Sequence, residues 1–109
     1  MKMEKKYSDG HLALFLHGEL DQHTAPEFFQ EMESALDRYL PRSCALDLSR
    51  LSFMDSSGIA VILRLRKRMG ETGGIVWLES PSPQPLRVLN ASGVGRFVKI
   101  RSRKGSDSK

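Results

Sequence analysis

The apolar positions of this chain change period several times, and each change marks an element. Lys2 to Tyr7 has the pattern of a weak strand, and Ser8-Asp9-Gly10 has the chemistry of a tight turn. His11 to His17 is a second, more apolar strand, so the two are expected to form a hairpin. Gly18 to Glu27 is a polar loop leading into a helix predicted over about Ala25 to Leu40. There Phe28, Phe29, Met32, Ala35, Leu36, Tyr39 and Leu40 recur at three- and four-residue spacing, as a core-facing stripe does. Thr24 with Glu27 three residues on has the form of a capping box, Pro26 is tolerated in the first turn, and Pro41 stops the helix.

Cys44 to Leu48 runs with almost no polar break, as expected of a strand covered on both faces in a parallel sheet. Cys44 itself reads as a small buried hydrophobe and not as a nucleophile. The next helix is predicted from about Ser57 to Glu71. Its apolar arc through Ile59, Val61, Ile62, Leu63, Leu65 and Met69 is wider than one packed stripe needs, with Arg66 inside it. Either part of this helix is a partner surface or the long Arg66 stem lies over apolar neighbours. Gly73-Gly74 closes the helix and Ile75 to Leu78 is a buried strand. Ser80 to Pro85 is a stiff loop, Pro85 to Asn90 a short helix ending near Gly93, and Val94 to Ile100 an edge strand. The sum is one α/β domain over residues 1–100, a mixed sheet with helices packed on it in the order ββαβαβαβ, followed by a basic, disordered tail over 101–109.

Composition narrows the class. A chain of 109 residues with 39% hydrophobic content and a single cysteine fits one packed domain that needs no disulfide framework, and so a reducing cytoplasm. No apolar run approaches the ~20 residues of a membrane span, and Met1-Lys2-Met3-Glu4-Lys5-Lys6 has no apolar signal-peptide core, so a cytoplasmic protein is expected. The net charge of +4 raises the question of nucleic acid. The excess, however, sits in Arg64, Arg66, Lys67 and Arg68 on one helix and in Lys99, Arg101, Arg103 and Lys104 at the end, with no aromatic residues interleaved for base stacking. A solvated helix face and a loose tail account for it without direct nucleic-acid binding.

The chemistry concentrates where the middle strand turns into the second helix, at Asp55, Ser56 and Ser57. A helix leaves its first N–H groups unpaired, so small oxygen-bearing side chains belong there on local grounds alone. A hydrolase nucleophile elbow needs glycine two residues before its serine, and Met54 stands there before Ser56. His11, His17 and His23 all precede the serines, whereas the hydrolase order puts histidine last. No Gly-rich loop ends in Gly-Lys-Ser or Gly-Lys-Thr. His17, Asp21 and His23 are ligand types, but three polar side chains in a loop are ordinarily just solvated. No catalytic residue, metal or cofactor is therefore expected.

Three segments together carry a resemblance: Leu51-Ser52-Phe53-Met54-Asp55-Ser56-Ser57-Gly58-Ile59, Gly18-Glu19-Leu20-Asp21, and Ser92-Gly93-Val94 followed by Phe97. In order and placement they resemble the STAS domain of bacterial anti-sigma factor antagonists, over about Tyr7 to Ile100. The resemblance implies a STAS-type mixed sheet and a partner-switching module, not an enzyme. Such a module binds an anti-sigma factor that is also a serine kinase, which frees the sigma factor. The kinase ends the interaction by phosphorylating the first serine after the aspartate, and a phosphatase resets it. Carried onto this chain, the phosphoacceptor is Ser56, with Ser57 the alternative, and the partner-binding residues are Asp21, Asp55, Ser56, Ser57 and Gly58. Gly58 would let a partner backbone or nucleotide approach closely, or would simply let the helix begin tightly. A second reading is a constitutive STAS subunit of a larger assembly, such as a lipid-transport complex, in which Asp55 and Ser56 are only helix caps. Two features depart from the family pattern: Arg101 to Lys109 stands where another amphipathic helix is common, and the second helix is rich in arginine.

Overall fold

The structure is a computed structural model and describes residues 1–102. The elements are β1 (Lys2–Ser8), β2 (His11–Leu20), α1 (Ala25–Tyr39), β3 (Ser43–Met54), α2 (Ser56–Glu71), β4 (Ile75–Glu79), α3 (Pro83–Ser92), a 3-10 turn (Val94–Arg96) and β5 (Lys99–Arg101). They build one five-stranded sheet in the order β1-β2-β3-β4-β5. β1 pairs antiparallel with β2 and every later pair is parallel. The sheet is thus mixed, as the patterning predicts.

Each parallel connection steps one strand in the same direction, so right-handed crossovers put α1, α2 and α3 on one face. β2 records this: Leu12, Leu14 and Leu16 are fully buried while His11, Ala13, Phe15 and His17 on the other face are only half-buried. The core lies between that face and the helices, where Phe28 and Met32 of α1 and Ile62 and Leu65 of α2 meet Leu46 and Leu48 of β3. Cys44 belongs to it, and burial pushes its thiol up to about 12, as suits a packing residue. No helix among the described residues is long and apolar enough to cross a membrane.

Several boundaries differ from the sequence expectation, each for a visible reason. β2 continues through Gly18 and Glu19 to Leu20, and β3 continues to Met54, six residues past the apolar run. The two strands pair with each other along this stretch, so exposed polar residues such as Ser49, Arg50 and Ser52 do not end β3. α1 stops at Tyr39, and Leu40 is not core: it sits in the left-handed region at φ 46 and is 73% exposed. Tyr39 stays at the rim, stacked on Tyr7 with ring centroids 4.8 Å apart. The capping box does not form, because Thr24 has helical backbone angles and its hydroxyl is engaged with Glu19 O and Asp21 N.

Further along, Ile75 is 62% exposed rather than buried. β5 pairs only with Trp77 to Glu79, so the start of β4 has no strand on that side. α3 begins at Pro83, two residues early, since a proline is accommodated in the first turn. The single edge strand expected over Val94 to Ile100 is instead a 3-10 turn and a three-residue β5. Residues 103–109 of the expected tail lie outside the described residues, and Arg101 belongs to β5.

The arginines of α2 largely serve the chain itself. The Arg66 Nε donates to Phe97 O at 2.9 Å, and its guanidinium lies 5.7 Å from the Phe97 ring centroid. Arg64 lies over Phe29 at 3.8 Å, and Arg68 pairs with Glu33 and Asp37 of α1. The Arg66 stem thus lies over an apolar neighbour within the chain, while Leu63 on the same helix remains 39% exposed.

The left-handed Leu40 carries a conformational cost that glycine would not. Relief of the ~1–2 kcal/mol left-handed cost outweighs the ~0.5–1 kcal/mol entropy cost of glycine, so Leu40→Gly is expected to raise the unfolding free energy by up to about 1 kcal/mol, read as a higher urea midpoint at unchanged slope.

Candidate functional site

The site forms because β2 and β3 run parallel and end together. Leu20 is registered with Met54, and Asp55 N donates to Leu20 O at 3.3 Å. This places Asp21 and Asp55 side by side at the carboxyl ends of adjacent strands, the end of an open α/β sheet where ligands ordinarily bind.

Asp55 is the N-cap of α2. Its backbone is extended, with φ −121, and its Oδ1 accepts from Ser57 N at 2.8 Å. Ser56 is the first residue of the helix and is exposed, and its hydroxyl makes no hydrogen bond among the described residues. Ser57, whose amide the cap occupies, is half-buried.

Gly58 is placed differently from the surface role considered for it. It is buried, and a Cβ there would come within 2.7 Å of Met54 Cγ and 3.1 Å of Leu20 Cδ2. The missing side chain lets α2 settle on the two strand ends, so Gly58 lies buried beneath the corner.

Asp21 organises the second loop. Its Oδ1 accepts from His23 N at 2.9 Å and from Thr24 N at 3.1 Å, and Thr24 Oγ1 lies 3.3 Å away. The bond from the Thr24 amide is the main reason that this carboxyl sits below its usual range. Desolvation opposes it, while His23 N–H, the Thr24 hydroxyl and the His23 charge reinforce it. In place of the expected Thr24–Glu27 capping box, the Asp21 carboxylate holds the amides of this loop. His17 is elsewhere, on the sheet, with its Nε2 3.5 Å from Glu4 Oε1, so it does not join Asp21 and His23 in a ligand cluster.

Three residues missed by sequence reasoning border the site. Phe53, 38% exposed, precedes Met54 and is registered with Glu19 near the ends of the two strands. Ser82 and Gln84, at the start of α3, bind the last part of β3. Gln84 Oε1 accepts from Met54 N at 2.8 Å and its Nε2 donates to Met54 O at 3.0 Å, while the Ser82 hydroxyl donates to Leu51 O. Nothing in the spacing of a Ser-Pro-Ser-Pro-Gln-Pro run signals contacts with residues 30 positions away.

Comparison with known proteins agrees with this geometry. The STAS domain family matches residues 2–106, and the chain belongs to that family. It is 34% identical over 100 residues to the anti-sigma F factor antagonist of Paenibacillus polymyxa, covering 92% of this chain and 86% of that one. It is 32% identical over 83 residues to the anti-sigma F factor antagonist of Lysinibacillus sphaericus, covering 76% and 71%. The fold matches that of the anti-sigma factor antagonist SpoIIAA. For its unphosphorylated form the TM-score is 0.79 at 24% identity, over 96% of this chain and 92% of that one. For the phosphorylated form of this Bacillus cell fate determinant it is 0.70 at 24% identity, over 96% of each chain.

Two stability measurements check the local geometry. Gly58→Ala gains about 1 kcal/mol of helix propensity but meets overpacking worth about 1–3 kcal/mol, so a net loss is expected in urea denaturation. Asp21, with its pKa depressed in the folded state, contributes stability that is present above the ordinary value of 3.8 and is lost as pH falls through the lower folded value. Asp21→Asn is therefore expected to be less stable than the parent at pH 6, with the difference shrinking as the pH drops below that ordinary value.

Proposed function

We propose that this chain is an anti-sigma factor antagonist whose docking end is the Asp21–Asp55–Ser56 corner, and that phosphorylation of Ser56 by its anti-sigma factor partner switches it off. One observation carries the reading: Ser56 presents an exposed, unbonded hydroxyl on the first turn of α2, directly after the capping carboxylate. The named relatives, which are anti-sigma factor antagonists over most of the chain, supply the partner class.

The chemistry of the switch follows from charge. In the unmodified protein the corner offers a small hydroxyl between a capped helix start and the Asp21 loop, together with the apolar edge of Phe53. An anti-sigma factor docked there is held away from its sigma factor. The partner, acting as a serine kinase, transfers the terminal phosphoryl group of a nucleoside triphosphate to the Ser56 oxygen: the new O–P bond forms as the bond to the bridging oxygen breaks, the nucleoside diphosphate leaves, and the hydroxyl proton passes to a base of the kinase. The product carries about 1.5 to 2 negative charges on a helix N-terminus, whose free amides and dipole accept an anion, so the fold survives. The docked surface does not tolerate it, because the phosphate joins Asp55 and Asp21 in one patch of like charge. A phosphatase returns the chain to its binding form.

Ser57 is the poorer acceptor, since it is half-buried and its amide is held by Asp55. The partner-binding set is accordingly Asp21, Phe53, Asp55 and Ser56, with Gly58 supporting them from below.

Ser56→Ala is expected to bind the anti-sigma factor within about threefold of the parent and to gain no phosphate by mass when partner and ATP are added. Ser56→Asp is expected to bind at least about tenfold more weakly, a change of about 1.4 kcal/mol. Parent-like affinity in both variants, or phosphate on Ser56→Ala that disappears in Ser57→Ala, would overturn the assignment.

A further inference from the structure

The corner that holds Ser56 is not built by β2 and β3 alone. β4 pairs with β3 only from Ser43 to Asp47, so the last seven residues of β3 have a strand on one side only. Asp55 N points toward β2, where Leu20 O accepts it, and the Met54 amide and carbonyl point the opposite way, to the side β4 has left. There the Gln84 side chain meets both backbone groups of Met54, accepting from its N–H at 2.8 Å and donating to its carbonyl O at 3.0 Å. A primary amide has the same donor and acceptor pair as a backbone peptide unit. Gln84 therefore takes the place of one residue of a missing strand, two positions before Ser56.

The attachment is stiff at its other end. Gln84 lies between Pro83 and Pro85 in the first turn of α3, and Ser82 fixes the approach through its own bonds to Leu48 O and Leu51 O. Pro85 and Leu89 anchor α3 in the core. The amide is thus presented to Met54 from a short proline-flanked turn and not from a mobile side chain on an open loop. No other described side chain bonds to the Met54 peptide.

We infer that Gln84 is a positioning residue for the switch: it fixes the end of β3, and through Met54 and Asp55 the placement of the Ser56 hydroxyl for phosphoryl transfer. This rests on the reading of Ser56 as phosphoacceptor. In-line transfer depends on where the attacking oxygen sits, and a displacement of about 1 Å can cost about a hundredfold in rate. Gln84 bonds to Met54 and not to Asp21, Phe53, Asp55 or the Ser56 hydroxyl, so its loss should fall on turnover and not on affinity.

The test uses the full chain with its anti-sigma factor kinase and ATP. Gln84→Met keeps the length and removes both bonds, and Gln84→Glu keeps only the acceptor for Met54 N–H. Val88→Ala, also on α3 but packed against the core, controls for general destabilisation. In Gln84→Met, kcat for Ser56 phosphorylation should fall at least about tenfold with KM within about twofold. Hydrogen exchange at the Met54 amide should quicken at least about tenfold, since opening then needs no Gln84 bond to break. Gln84→Glu should give an intermediate kcat, and Val88→Ala the parent's. Parent-like kcat and KM in Gln84→Met, or an equal loss of kcat in Val88→Ala, would overturn the inference. A parent chain that takes no phosphate would overturn the Ser56 assignment itself, and that failure is seen before any Gln84 variant is measured.

Discussion

The parallel pairing of β2 with β3 is the constraint on which the rest of this molecule depends. Because the two strands stay paired, through two register shifts, to Leu20 and Met54, their following residues emerge together at one end of the sheet. Asp21 folds its loop by accepting the amides of His23 and Thr24, and Asp55 starts α2 by accepting that of Ser57. Each aspartate performs the same physical task, satisfying amides at a chain turn, on neighbouring strands. The result is an acidic, backbone-rigid corner with the uncommitted Ser56 hydroxyl exposed on its surface.

The layer beneath explains why that corner can be so exact without a cavity. Gly58 allows α2 to rest directly on Met54 and Leu20, and Arg68 ties α2 to Glu33 and Asp37 of α1. These ion pairs are partly exposed and individually worth little. Their value is directional, since they hold the two helices that flank the corner in one relative placement. Packing of Phe28, Met32, Ile62 and Leu65 against the sheet supplies most of the stabilisation, and the polar contacts select the geometry.

The sequence was legible where local rules and core packing agree. The helical stripe from Phe28 to Leu36, the break at Pro41 and the serine-bearing helix start are dictated by neighbours close in the chain, and all are found. It was illegible where a distant partner overrides local pattern. Ser49, Arg50 and Ser52 look like the end of a strand, and only pairing with β2 shows that the strand goes on. Thr24 has the residue spacing of a capping box, yet tertiary placement of the Asp21 loop claims its hydroxyl. Gly58 looks like an opening for a partner because the motif gives no sign of Met54 lying against it. Gln84 is the extreme case, since a helix-terminal glutamine between two prolines says nothing about a peptide on another element.

Cys44 has a practical consequence at the opposite pole of the molecule from its own position. It is the chain's single sulfhydryl, it is fully enclosed, and its proton is held so firmly that almost no thiolate exists near neutrality. Burial and the firmly held proton both disfavour alkylation of the native protein at Cys44. A cysteine engineered in place of Ser56 would be the one reactive sulfur on the surface, with helix amides to favour its ionised form. A maleimide fluorophore added there would label a single atom, and its emission would report on the surroundings of that corner.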